Sequence, residues 1–233
     1  MPSNELRILV ARSRDKILGW TKSGHRRCDC VTVPPLMNIA SVVPPAKLAM
    51  LNRAVLQACD ARDGVRDGLL NDPRSCDFNP AALLCRGTDA DNCLTPPQLD
   101  SVRRMYGPAK TNAGDVIFPG KDRGSEMGWT AIAGGTQPAN VSLGSFQVAY
   151  SNPNWDWKTF DVDRDLEAVD EKVGVIVNAI NPDLSAFRAR DGKLLLYHGW
   201  NDTAISAGNT VDAGLSPFCP YMGETPSFPT IRV

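Results

Sequence analysis

The alternation of apolar and polar positions is sharpest in three places. Residues 44–58, PPAKLAMLNRAVLQA, set Leu48, Leu51, Val55 and Leu56 on one face of a predicted helix, with Pro45 in its first turn. Residues 166–180 predict a second helix, with Leu166, Val169, Val173, Val177 and Ile180 in register. Residues 193–198, KLLLYH, form a short unbroken apolar run, the pattern of a strand buried in a parallel sheet. Shorter signals lie between them. Asn79 opens a short helix, and Thr95 is an N-cap for a helix that starts at Pro96 and runs through Leu99, Val102 and Met105 to Tyr106. Residues 107–155, rich in Gly, Pro and Asn, read as irregular structure with a few short elements. Residues 5–20 are compatible with a short helix bearing Leu6, Ile8, Leu9 and Val10, and the basic stretch after them has no period.

Composition narrows the class. With 42% hydrophobic and 22% charged residues in 233, the chain has the makeup of a soluble globular protein with room for one large or two modest domains. A net charge of −1 gives no reason to expect nucleic acid or an anionic membrane as partner. No apolar run approaches the length of a membrane span. Seven cysteines are many for a cytosolic protein, and Cys59, Cys76, Cys85 and Cys93 fall close together without a CxxC pair. That favours disulfides and an oxidising compartment over zinc. The first residues, MPSNELR, show no signal peptide, so a secreted-style body without a leader predicts a front that is incomplete.

The strongest chemical signal is the loop CDARDGVRDGLLNDPRSC between Cys59 and Cys76. Asp60, Asp63 and Asp67 are hard oxygen donors, and Gly64 and Gly68 allow turns tight enough for the carbonyls of Val65 and Leu69 to face the same point. Carboxylates and carbonyls without His or Cys suit calcium better than zinc. The spacing is not that of an EF-hand. A solvated turn also uses Asp-Gly pairs, yet has no need of three converging carboxylates. If Cys59 and Cys76 pair, closing the loop contributes about 3 kcal/mol in the chain-entropy model.

Taken with CLTPPQ at 93–98, GSE at 124–126, WDW at 155–157 followed by Phe160-Asp161, and KLLLYHGWND at 193–202, this loop resembles the tannase and feruloyl esterase family of secreted α/β-hydrolases. The likeness spans roughly residues 40–208. It implies an α/β fold: a partial α/β-hydrolase core with a large, mostly helical and irregular lid domain. It implies a structural calcium on the side chains of Asp60, Asp63 and Asp67 and the carbonyls of Val65 and Leu69. It also implies disulfides Cys59–Cys76 and Cys85–Cys93. Asp202 matches the family's triad acid in its His-Gly-x-x-Asp context, where a carboxylate orients the catalytic imidazole and stabilises its protonated form. The implied activity is hydrolysis of a carboxylic ester of a phenolic acid through an acyl-serine, on a small aromatic ester.

Other parts of a serine esterase are missing from these residues. There is no Gly-x-Ser-x-Gly elbow, and Ser125 and Ser145 follow glycines without the strand–Ser–helix setting. His25 and His198 are the two histidines, and neither follows Asp202; His198 reads as a packed neighbour of the acid. The expectation is thus an atypical segment 1–35, a calcium-binding lid 36–185, a core remnant 186–208 holding Asp202, and an atypical tail 209–233. Cys28, Cys30 and Cys219 have no family partners. Such a chain would be a truncated, inactive esterase; the alternative is a non-catalytic calcium-binding module. Trp129, Trp155 and Trp157 are either platforms for an aromatic acid or core residues, and the core is favoured.

Overall fold

The computed structural model describes residues 8–11, 39–130, 140–177, 186, 189–190, 193–196, 198–203 and 205–208. In chain order the elements are β1 (Ile8–Ala11), α1 (Pro45–Cys59), α2 (Pro96–Tyr106), β2 (Ala109–Lys110), β3 (Val116–Phe118), α3 (Asn140–Ala149), α4 (Val162–Val169), a single turn α5 (Val175–Val177) and β4 (Lys193–Leu196), joined by short 3-10 turns. β1 and β4 pair in parallel, from Ile8 opposite Lys193 to Ala11 opposite Leu196. β2 and β3 make a small antiparallel pair. Residues 209–233 lie outside the described residues, as do His25, Cys28, Cys30 and Cys219.

α1 begins at Pro45, whose missing N–H falls in the turn that has no intrahelical acceptor to serve. Leu48, Leu51 and Val55 are buried as their spacing predicts, joined by Met50 and Cys59, while Leu56 is half-buried. Lys47 is buried too. Its ammonium donates to Gln98 Oε1 at 2.8 Å and pairs with the Asp89 carboxylate, which offsets the loss of water. α2 carries the cap that the sequence predicts. Thr95 Oγ1 accepts the Gln98 N–H, and Gln98 Oε1 reaches back to the Thr95 N–H at 3.0 Å. Leu99, Val102 and Met105 then meet α1 in a core completed by Leu94, Phe118 and Trp129.

The helical run Ile39–Asp63 is long and apolar enough to cross a membrane by length and composition, contrary to the sequence expectation. Its continuous α-helix is 15 residues, about 22 Å, against the roughly 30 Å of a bilayer core. Its apolar stripe is spent on α2 and the Trp129 turn, so it serves as a core helix.

Three further expectations need correction. Residues 8–11 form a strand where a helix was expected, because the aliphatic run Ile-Leu-Val-Ala supplies the parallel neighbour that β4 requires. Residues 140–149 form a ten-residue helix inside the stretch read as irregular, and its Phe146 and Ala149 pack on Val169 of α4. The helix expected over 166–180 starts earlier, at Val162, because the Asp161 carboxylate accepts the Arg164 N–H at 2.9 Å and caps it there. It passes through a π turn, Asp170–Gly174, before α5, and residues 178–180 lie outside the described residues.

Candidate functional site

Two loops hold the residues to which the sequence points, and a third segment, 120–129, lies between them. The acidic loop leaves α1 through a 3-10 turn, Asp60–Asp63, and reverses at Gly64 and Gly68, whose φ values of +95° and +81° are costly for any residue with a Cβ. Cys59 and Cys76 are bonded, as are Cys85 and Cys93, so both staples implied by the family likeness are present. Inside the loop the carboxylates hold main-chain N–H groups. Asp60 accepts from Gly68 (3.1 Å), Asp63 from Val65 (3.0 Å) and Asn71 (3.4 Å), and Asp67 from Leu69 (3.1 Å). Val65 and Leu69 keep their side chains in solvent. Among the described residues no three His, Cys, Asp or Glu side chains are gathered closely enough to form a metal cluster. The donor set, all oxygen and three times negative, fits a hard cation.

The loop's exit reaches the second site. Asp72 holds the Arg74 guanidinium through Nε and Nη2, both at 2.8 Å, and this aims Arg74 at the Trp200 ring, 5.1 Å from its centroid. Trp200 stands in the turn that follows β4. Asp202 N–H closes that turn on the Gly199 carbonyl at 3.1 Å. The Asp202 carboxylate accepts the Ile205 N–H at 2.9 Å, and its side chain keeps 22% of its surface exposed. His198 is buried beneath it. Its Nε2 lies 3.0 Å from the Ile205 carbonyl, so that nitrogen carries the proton and donates, and it is 3.6 Å from Asp202 Oδ2. The imidazole therefore braces the turn, in agreement with its reading as a packed neighbour of the acid.

Segment 120–129 joins the two. Leu70 packs on Gly124, and the Arg123 guanidinium donates to the Phe78 carbonyl at 3.2 Å. Gly128 lies so close to Thr203 that an added Cβ would be 2.3 Å from its methyl. Glu126, with no exposed surface, accepts from Tyr106 Oη (2.6 Å), Gly124 N–H (2.8 Å) and Asn52 Nδ2 (2.7 Å). Burial, then the neighbouring Glu126 charge, hold the Tyr106 hydroxyl well above its ordinary pKa. The sequence reading missed Asp122 and Glu126. Only the GSE segment hinted at the second, and nothing local pointed to the first.

Two serines near this turn, Ser125 and Ser206, are buried, whereas Ser145 is half-buried. Ser125 is buried, donating to the Asp122 carbonyl and accepting from Trp129 Nε1 at 3.0 Å. Ser206 is buried and gives its proton to Asp122 Oδ2 at 2.8 Å. Trp129 is a core residue edge-on to Tyr106, and Trp155 stacks on Phe146 at 4.7 Å. Trp157 is half-buried beside Lys158.

The family model for tannase and feruloyl esterase matches residues 25–213. An uncharacterized esterase of Xanthomonas campestris is 33% identical over 185 residues, covering 71% of this chain and 32% of that protein. A probable feruloyl esterase B-2 of Aspergillus flavus is 34% identical over 161 residues, covering 69% and 31%. A solved esterase from Aspergillus oryzae superposes with a TM-score of 0.83 at 26% identity, over 96% of this chain and 44% of that one. Feruloyl esterase B from Aspergillus oryzae shares the fold, with a TM-score of 0.80 at 23% identity over 94% of this chain and 44% of that one. These solved structures are esterases of the α/β-hydrolase type. The chain spans about a third of the length of the curated relatives it matches. The family match takes in the acidic loop, both disulfides and the turn that holds Asp202, and the chain belongs to the tannase and feruloyl esterase family.

Proposed function

We propose that the chain supplies the lid region (36–185) and the acid-bearing turn (186–208) of a secreted serine esterase that hydrolyses esters of phenolic acids. The observation that carries this reading is the placement of Asp202. Its carboxylate follows a parallel strand, is fixed by the Ile205 N–H and keeps 22% of its side-chain surface exposed. In that role Asp202 holds a catalytic imidazole in one tautomer and stabilises its charge as it takes the serine proton. The serine oxygen then attacks the ester carbonyl, the alcohol leaves with the proton that the imidazole returns, and water cleaves the acyl-serine to release the acid. Relatives named as feruloyl esterases support ferulate-like esters as substrates. Two disulfides support an oxidising, extracellular setting.

A chimera tests the role directly. Residues 193–208 are placed in the matching segment of the Aspergillus oryzae feruloyl esterase B, which should retain hydrolysis of a ferulate ester. Asp202→Asn in that chimera should lower kcat by about 10⁴. An unchanged kcat would remove Asp202 from the triad. The 233-residue chain alone should show little or no turnover of a chromogenic phenolic ester, because His198 is committed to the Ile205 carbonyl and Ser125 and Ser206 are buried. Turnover that Asp202→Ala abolishes would overturn this.

We also infer that Asp60, Asp63 and Asp67, with the carbonyls of Val65 and Leu69, hold a structural calcium. The all-oxygen donor set and the two left-handed glycines support it. Calcium at about 100 times its Kd should stabilise the fold by about 2.7 kcal/mol, and Asp63→Ala should abolish the effect. A melting temperature indifferent to calcium and to chelator would exclude the site.

A further inference from the structure

We propose that Asp122 is a positioning residue for the acid-bearing turn, clamping residues 205–208 so that Asp202 and His198 keep their places. The catalytic meaning of this clamp rests on Asp202 being the triad acid; the clamp itself does not.

Asp122 sits between β3 and the 126–129 turn. Its main chain is pinned first, since the Ser125 N–H (3.3 Å) and Oγ–H both donate to its carbonyl. Its half-buried carboxylate then crosses to the other segment, 84 positions away in sequence, and accepts the Ser206 hydroxyl at 2.8 Å. The Ala207 N–H donates to the same carboxylate. Ser206 Oγ in turn accepts the Gly208 N–H at 3.3 Å. Residues 205–208 are all buried, so their main-chain groups have little water to fall back on. Ile205 is the pivot. Its N–H binds Asp202, its carbonyl takes the His198 proton, and the next two residues are the ones Asp122 holds.

The charged groups around this point are Asp122 and Asp202 facing His198, with Lys121 beside Asp122. Burial pushes the Asp122 carboxyl up, against the hydrogen bonds from Ser206 and Ala207 and the charges of His198 and Lys121. The Asp122 carboxylate ties segment 205–208 to the 120–129 segment through Ser206 and Ala207, so its loss loosens the pivot.

The test uses the intact chain and NMR, with no substrate. There are two histidines, and in a His25→Gln background the ring Nε2–H signal of His198 is assigned by elimination. Asp122→Ala should speed amide exchange at Ile205 and Ala207 by at least about tenfold and broaden the His198 ring N–H beyond detection. Asp122→Asn keeps an acceptor oxygen of the same shape and should restore both signals to near wild type. Ser206→Ala, which removes one donor alone, should speed exchange at Ile205 several-fold, and it carries the test if Asp122→Ala does not fold. Unchanged exchange in Asp122→Ala or Ser206→Ala would overturn the clamp, as would failure of Asp122→Asn to rescue. These readings are independent of the chimera. A silent Asp202→Asn there would overturn the triad role and leave the clamp standing, whereas a kcat loss there with unchanged exchange here would sink the clamp alone.

Discussion

Removing the Glu126 side chain should be among the most damaging single changes in the described core. Its carboxylate has no exposed surface and satisfies three donors that reach it from α1, α2 and its own loop: Asn52 Nδ2, Tyr106 Oη and the Gly124 N–H. Glu126→Ala leaves all three without that partner. At about 1–3 kcal/mol for each stranded buried donor, and with Asn52 still able to use the Gly124 carbonyl at 3.2 Å, the loss comes to about 3–5 kcal/mol. Tyr106→Phe alone removes one hydrogen bond to a charged acceptor and should cost about 1.5–3 kcal/mol. The double variant strands one donor fewer than Glu126→Ala, so the two losses should fall short of additivity by at least 1 kcal/mol. Glu126→Gln gives a sharper variant. Its amide NH₂ would face Asn52 Nδ2 donor to donor, and Asn52→Asp should recover part of the loss. Urea unfolding followed by tryptophan fluorescence reads all of this, since Trp129 lies edge-on to Tyr106. A Glu126→Ala loss below 1 kcal/mol, or an additive cycle with Tyr106→Phe, would refute the network account.

Three further outcomes follow from the geometry. Removing Cys59–Cys76, whose ends are 17 positions apart, should cost about 3 kcal/mol, and removing Cys85–Cys93, whose ends are 8 apart, about 2.5 kcal/mol; chemical denaturation giving the reverse order would count against the loop-length account. Burial tends to raise the Asp165 carboxyl, but hydrogen bonds from Arg164, Tyr150 and the Asp161 N–H outweigh it and hold the folded pKa below the usual range. Its contribution is therefore present above the unfolded value near pH 4 and lost as pH falls through the lowered one, so Asp165→Asn should flatten that acid limb in pH-dependent unfolding; an unchanged limb would be the contrary result. Gly128→Ala would drive a Cβ to 2.3 Å from the Thr203 methyl and should cost about 1–3 kcal/mol by urea titration, with less in a Thr203→Ala background; equal losses in both backgrounds would show that this contact is not the cause.

What could be read from the sequence was local. Pro45, Asn79, Thr95 and Pro96 act within a turn of their own positions, and each starts an element where expected. The Cys59–Cys76 staple was legible because the two cysteines that bound the acidic loop lie close together in the chain. α4 starts ahead of the apolar register at Leu166 because the Asp161 carboxylate caps the helix at Val162, a polar signal that the hydrophobic period does not contain. α3 was missed because its Gly144 and polar residues hide a face completed only by Trp155, Phe160 and Val169. Glu126 and Asp122 were illegible for a deeper reason. Their partners lie 74 and 84 positions away, and no period in one segment records a hydrogen bond to another.

The pairing of β1 with β4 has a consequence for how the chain reaches its native state. Roughly 180 residues separate the two strands, so forming this small parallel ladder first would close a very long loop at full entropic cost. The body between them is bound by nearer contacts: a helix delivering directly into a stapled loop, and a capping box that meets that helix. Each halving of the free loop by prior folding of this body recovers about 0.6 kcal/mol of closure entropy. The ladder should therefore form late, after the disulfide-bonded body is in place. On that order of events the His198–Asp202 turn, which sits at the end of β4, acquires its final geometry among the last parts of the molecule.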